Sequence, residues 1–388
     1  MLSLNQEEVL KMNENIRNVL CDIFFKNYQD NINPKETLKE HYASLKKEDF
    51  NNILGIYTLI KDDIELLAEV PLDEESTIEE MQDYTLTNLE EIYMTILSAL
   101  SESIITQLSI FIKKSCYYKG SIHDDDFIYS IDFITKLYQL RLGKVNYNKD
   151  TRNIEFYIPK ELFKLISKII KNKQFQKTNE EINAISNYTD KILSAYGIIS
   201  LNKLHEIINK VFIKIDKEDL ETMLRKISIC FNEINYFGDE EDAIIANSSF
   251  EEEDEAYTFY NSLSDGEYKV FTKEEYDLLG EDAYHLNFKA YDELMEYLNY
   301  EADLTNEQIA LIETEIIIDY LKSYQQDTEL ANKNLMSKLN GNFSSLKIQD
   351  KAIIKKKLSY LGKLYPIYTL KGYAIEEEKI KDNILYEL

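Results

Sequence analysis

The sequence has no tryptophan and is poor in the two residues that most often interrupt helices. Its 388 residues include 10 glycines and 4 prolines, well below the usual frequencies of about 7% and 5%. Because sharp turns depend largely on these residues, their scarcity favours long helices over sheets. We therefore predict a mainly α fold class, built from helical bundle segments.

Cysteine and histidine are too few and too dispersed for the common metal and catalytic sites. The three cysteines are far apart, the four histidines are separated by 82, 82 and 80 residues, and no CxxC, GxSxG or glycine-rich phosphate loop occurs. Zinc sites, serine hydrolases and nucleotide-binding loops require such residues. The cluster from His123 to Asp126 fits either a metal site or the acidic N-terminus of a helix. We expect no metal, no cofactor and no catalysis.

Long apolar runs are also missing. The N-terminal stretch MLSLNQEEVLKMNENI has no basic region followed by apolar residues, and no run of about 18 apolar residues occurs. Cys21, Cys116 and Cys230 each lie in an apolar context, which fits free thiols buried in a reducing compartment. We therefore expect a cytoplasmic protein that does not bind membranes.

Charge is divided unevenly along the chain. The formal net charge is −27. Residues 131–177 nevertheless hold eleven Lys and Arg against four Asp and Glu, whereas residues 239–303 hold three Lys against twenty-one Asp and Glu. A basic segment in so acidic a protein indicates a surface for an anionic partner, or for the acidic half of the same chain.

Periodicity and turn residues predict five segments. They are a helical N-terminal domain (1–70), an acidic linker (71–85), two winged-helix-like units (86–177 and 178–247), and an acidic helical C-terminal domain (248–388). In the first unit we predict a helix over about 87–114, a turn at Gly120, a second helix, a left-handed Gly143 and a hairpin. In the second, a capping box at Thr178–Glu181 opens a helix that ends at Gly197, Ser200 caps the next helix, and a hairpin closes the unit.

Lysines mark the first unit as a candidate surface for nucleic acid or another anion. After Pro159, four of them follow at helical spacings of four, four and three residues, while apolar residues occupy the other side. Basic residues near the hairpin extend the set, as expected where a winged helix touches a phosphate backbone. The candidates are Lys144, Lys149, Arg152, Lys160, Lys164, Lys168, Lys171 and Lys173. An ordinary solvated lysine face is the other interpretation, and the overall negative charge opposes a polyanion.

Acidic residues mark the opposite kind of surface. The candidates are Asp239, Glu240, Glu241, Asp242, Glu251, Glu252, Glu253, Asp254 and Glu255. They fit a solvated surface, a cover for the basic helix, or a mimic of nucleic-acid phosphates. Because the second hairpin tip reads GDEED, at most the first unit is expected to contact DNA.

Three stretches carry a family resemblance. YGIISLNKLHEIINK with KEDLETMLRKI, and the later YKVFTKEEYDLLGEDAYHLNFKAYDELMEYL, are similar to the helical region that precedes the zinc-binding SEC-C tail in proteins of low-GC Gram-positive bacteria. The resemblance implies a helical bacterial protein. The Cys-rich tail itself is missing here, so it implies no zinc site.

The sequence therefore predicts a regulatory or adaptor protein that acts by binding macromolecules. A protein partner is expected, and nucleic acid is a further candidate through the first unit. The alternative is an acidic nucleic-acid mimic, from a phage or other mobile element, that inhibits a basic nucleic-acid-binding protein.

Overall fold

The described residues form two compact units. The computed structural model describes residues 21–61, 76–122, 129–231, 234–238, 242–281, 288–302, 304–341 and 346–377. Unit 1 contains the described residues up to Ala184 together with Arg225–Phe231, and unit 2 contains Ile185–Leu224 and the described residues from 234 onward. Both are mainly helical with a small three-stranded antiparallel sheet, which confirms the predicted mainly α fold class with short hairpins.

Unit 1 packs its helices and one sheet around a single hydrophobic core. After helical residues 21–25, its elements are α1 (Leu38–Ala43), α2 (Lys47–Lys61), α3 (Ile78–Thr87), α4 (Leu89–Ser98), α5 (Glu102–Lys114), β1 (Tyr117–Ser121), α6 (Ile131–Gln139), β2 (Lys144–Asn148), β3 (Asn153–Tyr157), α7 (Lys160–Ile170) and the start of α8 (Lys173–Tyr196). Aromatic residues such as Phe50, Tyr93 and Phe156 are fully buried in this core.

The predicted hairpin of unit 1 is present, with one more strand beside it. Strand β3 pairs antiparallel with β2 on one side and with β1 on the other. Strand β1 was not predicted, and Gly120 lies inside this strand and not in a turn. Strand β1 is hard to find because its residues are neither fully buried nor strictly alternating.

Three other predictions for unit 1 are wrong. The helix expected over 87–114 is interrupted between α4 and α5. The end of the predicted acidic linker is helical, because α3 begins at a capping box formed by Thr77 and Glu80 and buries Met81. The left-handed residue after α6 is Arg141, with φ of 48°. Gly143 is needed for a different reason, since a Cβ there would lie 2.4 Å from the carbonyl oxygen of Tyr157.

Unit 2 has a similar order of elements, but with two helices instead of one between the single strand and the hairpin. It contains the end of α8, β4 (Ile198–Ser200), α9 (Leu201–Val211), the start of α10 (Lys217–Phe231), β5 (Ile234–Phe237) and β6 (Ile244–Asn247). Gly197, with φ of +68°, ends α8, and the Ser200 side chain caps α9. Both features were predicted. Thr178 lies inside α8, which begins at Lys173, so the predicted capping box there is wrong.

The rest of unit 2 is helical. Helix α11 (Glu253–Asn261) packs Ala256 against the second sheet. It is followed by α12 (Lys273–Glu281), α13 (Phe288–Tyr300), α14 (Asn306–Leu311), a π-helical turn (Ile312–Ile317), α15 (Ile318–Gln326), α16 (Thr328–Gly341), α17 (Ile348–Lys363) and a 3₁₀ turn (Tyr368–Leu370). Helices α13 to α17 share a second large core.

Candidate functional site: a lysine surface on unit 1

Helix α7 separates its apolar and basic residues onto opposite sides. Leu162, Ile166 and Ile169 are buried, and the helix packs against α1, α4 and α5. The lysines of the predicted stripe are exposed. We call Lys160, Lys164, Lys168, Lys171 and Lys173 the lysine surface. The amphipathic pattern thus places this stripe where the sequence predicted it, on the solvent side of α7.

The lysine surface continues across the junction between α7 and α8. Lys171 follows the last residue of α7, and Lys173 is the first residue of α8. Asn172 lies between the two helices, and its side-chain oxygen accepts hydrogen bonds from the backbone N–H groups of Gln174 and Phe175 in the first turn of α8. The side chain of Gln176 donates to the carbonyl oxygen of Ile170, 3.0 Å away. These contacts fix the two helix ends that carry the lysines.

Most of the lysine surface has no acidic partner among the residues that the structure describes. Lys168 pairs with Glu90 at 2.6 Å, with both side chains exposed, an interaction that contributes about 0–1 kcal/mol. Within the described residues, no Asp or Glu side chain lies within ion-pair distance of the other four lysines. Four ammonium groups are therefore exposed and, in the described part of the chain, without an anionic partner.

Two of these lysines occupy positions that a helix by itself disfavours. Lys160 is the first residue of α7 and Lys173 the first of α8, and the first turn of α8 contains no acidic residue. The positive end of the helix dipole makes a cation unfavourable there by about 0.3–1 kcal/mol. Helix stability therefore does not account for Lys160 and Lys173.

The basic residues of the hairpin are largely neutralised by acidic partners. Lys144 contacts Glu36 at 2.5 Å, and these side chains are only 12% and 9% exposed. The Arg152 guanidinium pairs with the Asp22 carboxylate and donates to the Tyr147 hydroxyl at 3.1 Å. Lys149 is exposed, 3.9 Å from Asp22. Unlike the unpaired lysines of the lysine surface, Lys144 and Arg152 are therefore already neutralised within the chain.

These ion pairs shift the acidity of both carboxylates. The hydrogen bond from Arg152 lowers the pKa of Asp22 below its usual value. Burial raises the pKa of Glu36, but the neighbouring His41 ring and the Lys144 ammonium lower it by more, so the net pKa is lowered. Both carboxylates therefore stay ionised at neutral pH, as partners of the hairpin.

Residues of the first helices and of the segment before them also cover α6 and the edge of β2, whereas the tip of the hairpin at residues 148–151 is exposed. Strand β2 is bordered by residues 28–30, where the backbone N–H of Tyr147 donates to the carbonyl oxygen of Tyr28 at 2.8 Å. On α6, the helix before the hairpin, only Asp132 and Gln139 are exposed. Asn52 of α2 donates to the Gln139 carbonyl oxygen. Neither α6 nor the edge of β2 is free to enter a groove.

Helix α10, which precedes the hairpin of the second sheet, is also partly buried. The last residues of α10 belong to unit 1, where Cys230 is buried in the core and Ile229 packs against it. The exposed part of the hairpin in unit 2 includes Asp242. Within the described residues, the exposed side chains of α10 are Glu218, Asp219 and Thr222, so the exposed charges of this helix and hairpin are negative.

The acidic candidates lie on the outside of unit 2. Asp242 and Glu251 to Glu255 are all exposed, and within the described residues they form no ion pair. Glu253, Asp254 and Glu255 form the first turn of α11, where the helix dipole favours acids. Asp239, Glu240 and Glu241 lie outside the described residues.

The described histidines have structural partners. His41 is fully buried and its Nε2 donates to the Arg141 carbonyl oxygen at 3.1 Å, while the Nε2 of His205 donates to the Ile215 carbonyl oxygen at 2.9 Å. In the described part of the chain, no three His, Cys, Asp or Glu side chains converge as metal ligands do. The cluster at His123 to Asp126 lies outside the described residues.

Comparisons with known proteins add no relative. The chain matches none of the protein-family models, curated proteins or solved structures with which it was compared. None of the helices in the described residues combines the length and apolar character needed to cross a bilayer. The winged-helix interpretation and the resemblance to the SEC-C-associated region stay predictions.

Proposed function

We propose that this protein is a non-catalytic regulator or adaptor that binds an anionic macromolecule through its lysine surface. The observation that carries the proposal is the set of four exposed lysines without an acidic partner among the described residues, two of them at helix starts. The order of helix, strand, helix and hairpin supports winged-helix-like units used for contact and not for reading DNA, because α6 and β2 are covered. Cys21 and Cys230 are buried, Cys116 is partly buried, and none of the three forms a disulfide, which supports a reducing, cytoplasmic setting.

Charge reversal tests this proposal. The lysine-surface variant carries Lys160→Glu, Lys164→Glu, Lys171→Glu and Lys173→Glu, and the control variant carries Lys35→Glu, Lys46→Glu, Lys113→Glu and Lys114→Glu. All eight lysines are exposed, so both variants change the net charge equally. Fluorescence anisotropy with duplex DNA, single-stranded RNA and an acidic peptide measures binding. We expect at least one probe to bind wild type and control but not the lysine-surface variant. Equal binding to both variants contradicts the proposal.

A second candidate function rests on the acidic surface of Asp242 and Glu251 to Glu255. These carboxylates are exposed, unpaired among the described residues and anchored by Phe250 and Ala256 in a small core. Ordered carboxylates can mimic phosphates, so the chain would then compete with DNA for a basic protein. A purified basic DNA-binding protein provides the test. Mimicry predicts that the chain displaces duplex DNA from it, and failure to displace at low salt contradicts mimicry.

A further inference from the structure

The distances between the lysines of the lysine surface indicate which arrangement of negative charges fits it. Lys160, Lys164 and Lys168 are four residues apart on α7, so they advance by about 6 Å per step along the helix axis. Lys171 continues the row beyond the helix end. Carboxylates placed every four residues on a partner helix repeat at the same interval of about 6 Å. A row of point charges therefore matches a single acidic face of a helix.

The surroundings of the lysine surface disfavour nucleic acid. Duplex readers insert a helix or strands into a groove, but α6 and the edge of β2 are covered. Single-stranded nucleic acids are bound by combining basic residues with aromatic platforms. The aromatic residue within α7, Phe163, packs against the core of unit 1, and the lysine surface contains no arginine.

The net charge of the protein also disfavours nucleic acid as the partner. The chain as a whole has 44 Lys and Arg against 71 Asp and Glu, so the lysine surface belongs to a strongly acidic protein. A long polyanion would extend beyond the lysines into this negative field. A short acidic segment meets only the lysines, since fields beyond about 8 Å are screened at physiological salt.

We propose that the lysine surface docks an acidic helical segment of a protein partner, with carboxylates at four-residue intervals along one face. This inference rests on the proposed function and narrows it to one class of partner. The row of lysines provides the charge complementarity, and the fixed ends of α7 and α8 keep that row in register. Specificity then comes from the spacing of the carboxylates as well as from their number.

Two synthetic peptides of identical composition test the inference. Both contain alanine, glutamine and four glutamates. In the first peptide the glutamates are four residues apart, and in the second they are distributed around the helix. Anisotropy is measured at about 150 mM salt. We expect wild type and the control variant to bind the first peptide at least about fivefold more tightly than the second. We expect the lysine-surface variant to lose that preference, while its circular dichroism spectrum stays that of wild type.

The outcomes separate this inference from the proposed function. Equal affinity for the two peptides overturns the inference. Tighter, lysine-dependent binding of duplex DNA or single-stranded RNA also overturns it, but leaves the proposed function standing. If the lysine-surface variant binds every probe as wild type does, both the inference and the proposed function fail.

Discussion

Individual side chains in unit 1 show how long-range contacts decide the roles of residues. Lys144 and Arg152 have the same charge as the lysines of α7, and the sequence grouped them together. Their partners Glu36 and Asp22 are 108 and 130 residues away. No local pattern reveals such pairs, whereas the exposure of the α7 lysines follows directly from the apolar spacing on that helix. The apolar periodicity of α7 therefore predicted the lysine surface. Ion pairs with residues distant in sequence neutralise Lys144 and Arg152, which local periodicity could not show.

A buried pair of tyrosines gives a prediction at this scale. The hydroxyl groups of Tyr42 and Tyr93 are 2.8 Å apart, and that of Tyr93 donates to the carbonyl oxygen of Leu140 at 3.0 Å. Both residues are fully buried. Tyr93→Phe leaves these groups without a partner, so we expect a loss of about 1–3 kcal/mol in the free energy of unfolding. Urea denaturation measures it, and a change within 0.5 kcal/mol would be about that of a surface substitution and would contradict the burial described.

The lysines at helix starts predict a conflict between stability and binding. Lys160→Glu and Lys173→Glu each replace an unfavourable cation by an anion that the helix dipole favours. We expect each to raise the free energy of unfolding by about 0.3–1 kcal/mol while weakening binding of the acidic peptide. Urea denaturation at low ionic strength measures the first effect. Lower stability in both variants would show that these lysines make stabilising contacts within the chain.

The lowered pKa values of Asp22 and Glu36 predict acid sensitivity. A carboxylate whose pKa is lower in the folded protein contributes stability above its unfolded pKa of about 4. That contribution is lost as the pH falls through the folded pKa. We expect urea midpoints to fall below about pH 4 in wild type, and to fall less steeply in Asp22→Asn/Glu36→Gln. The same pH dependence in both proteins would show that these carboxylates are not paired in solution.

At the scale of elements, the sequence predicts that segments are helical but does not reveal where a helix is interrupted. The break between α4 and α5 contains neither glycine nor proline. Asn179 of α8 donates to the carbonyl oxygens of Ser98 and Leu100, and the side chain of Asn183 accepts from the backbone N–H of Glu102. A helix from elsewhere in the chain thus satisfies the interrupted backbone groups, which periodicity within residues 87–114 cannot reveal.

The hydrogen bonds between residues 28–30 and strand β2 predict slow hydrogen exchange at two amides of this strand. The backbone N–H of Tyr147 donates to Tyr28, and that of Val145 donates to the Asp30 carboxylate at 3.0 Å. We expect both amides to exchange as slowly as the amides of the central strand β3. Fast exchange at both positions, typical of an open edge strand, would show that residues 28–30 do not cover β2.

For the whole molecule, charge and its placement are the main evidence on function. The total charge of −27 keeps nonspecific polyanions away, while the lysine surface provides a local site of opposite sign. The mainly α fold class followed from composition, because so few residues break helices. The two compact units did not follow from it, since helix α10 contributes Arg225–Phe231 to unit 1 through packing that is distant in sequence.

The central claim is that the lysine surface binds an anionic partner, and one affinity comparison tests it most directly. The dissociation constant of the peptide with four glutamates on one face is measured for wild type, the lysine-surface variant and the control variant. We expect the lysine-surface variant to bind at least about tenfold more weakly than wild type. The control variant should differ from wild type by less than about twofold, since none of its four lysines lies on α7 or α8. An equal loss in both variants, or no loss in either, would contradict the claim.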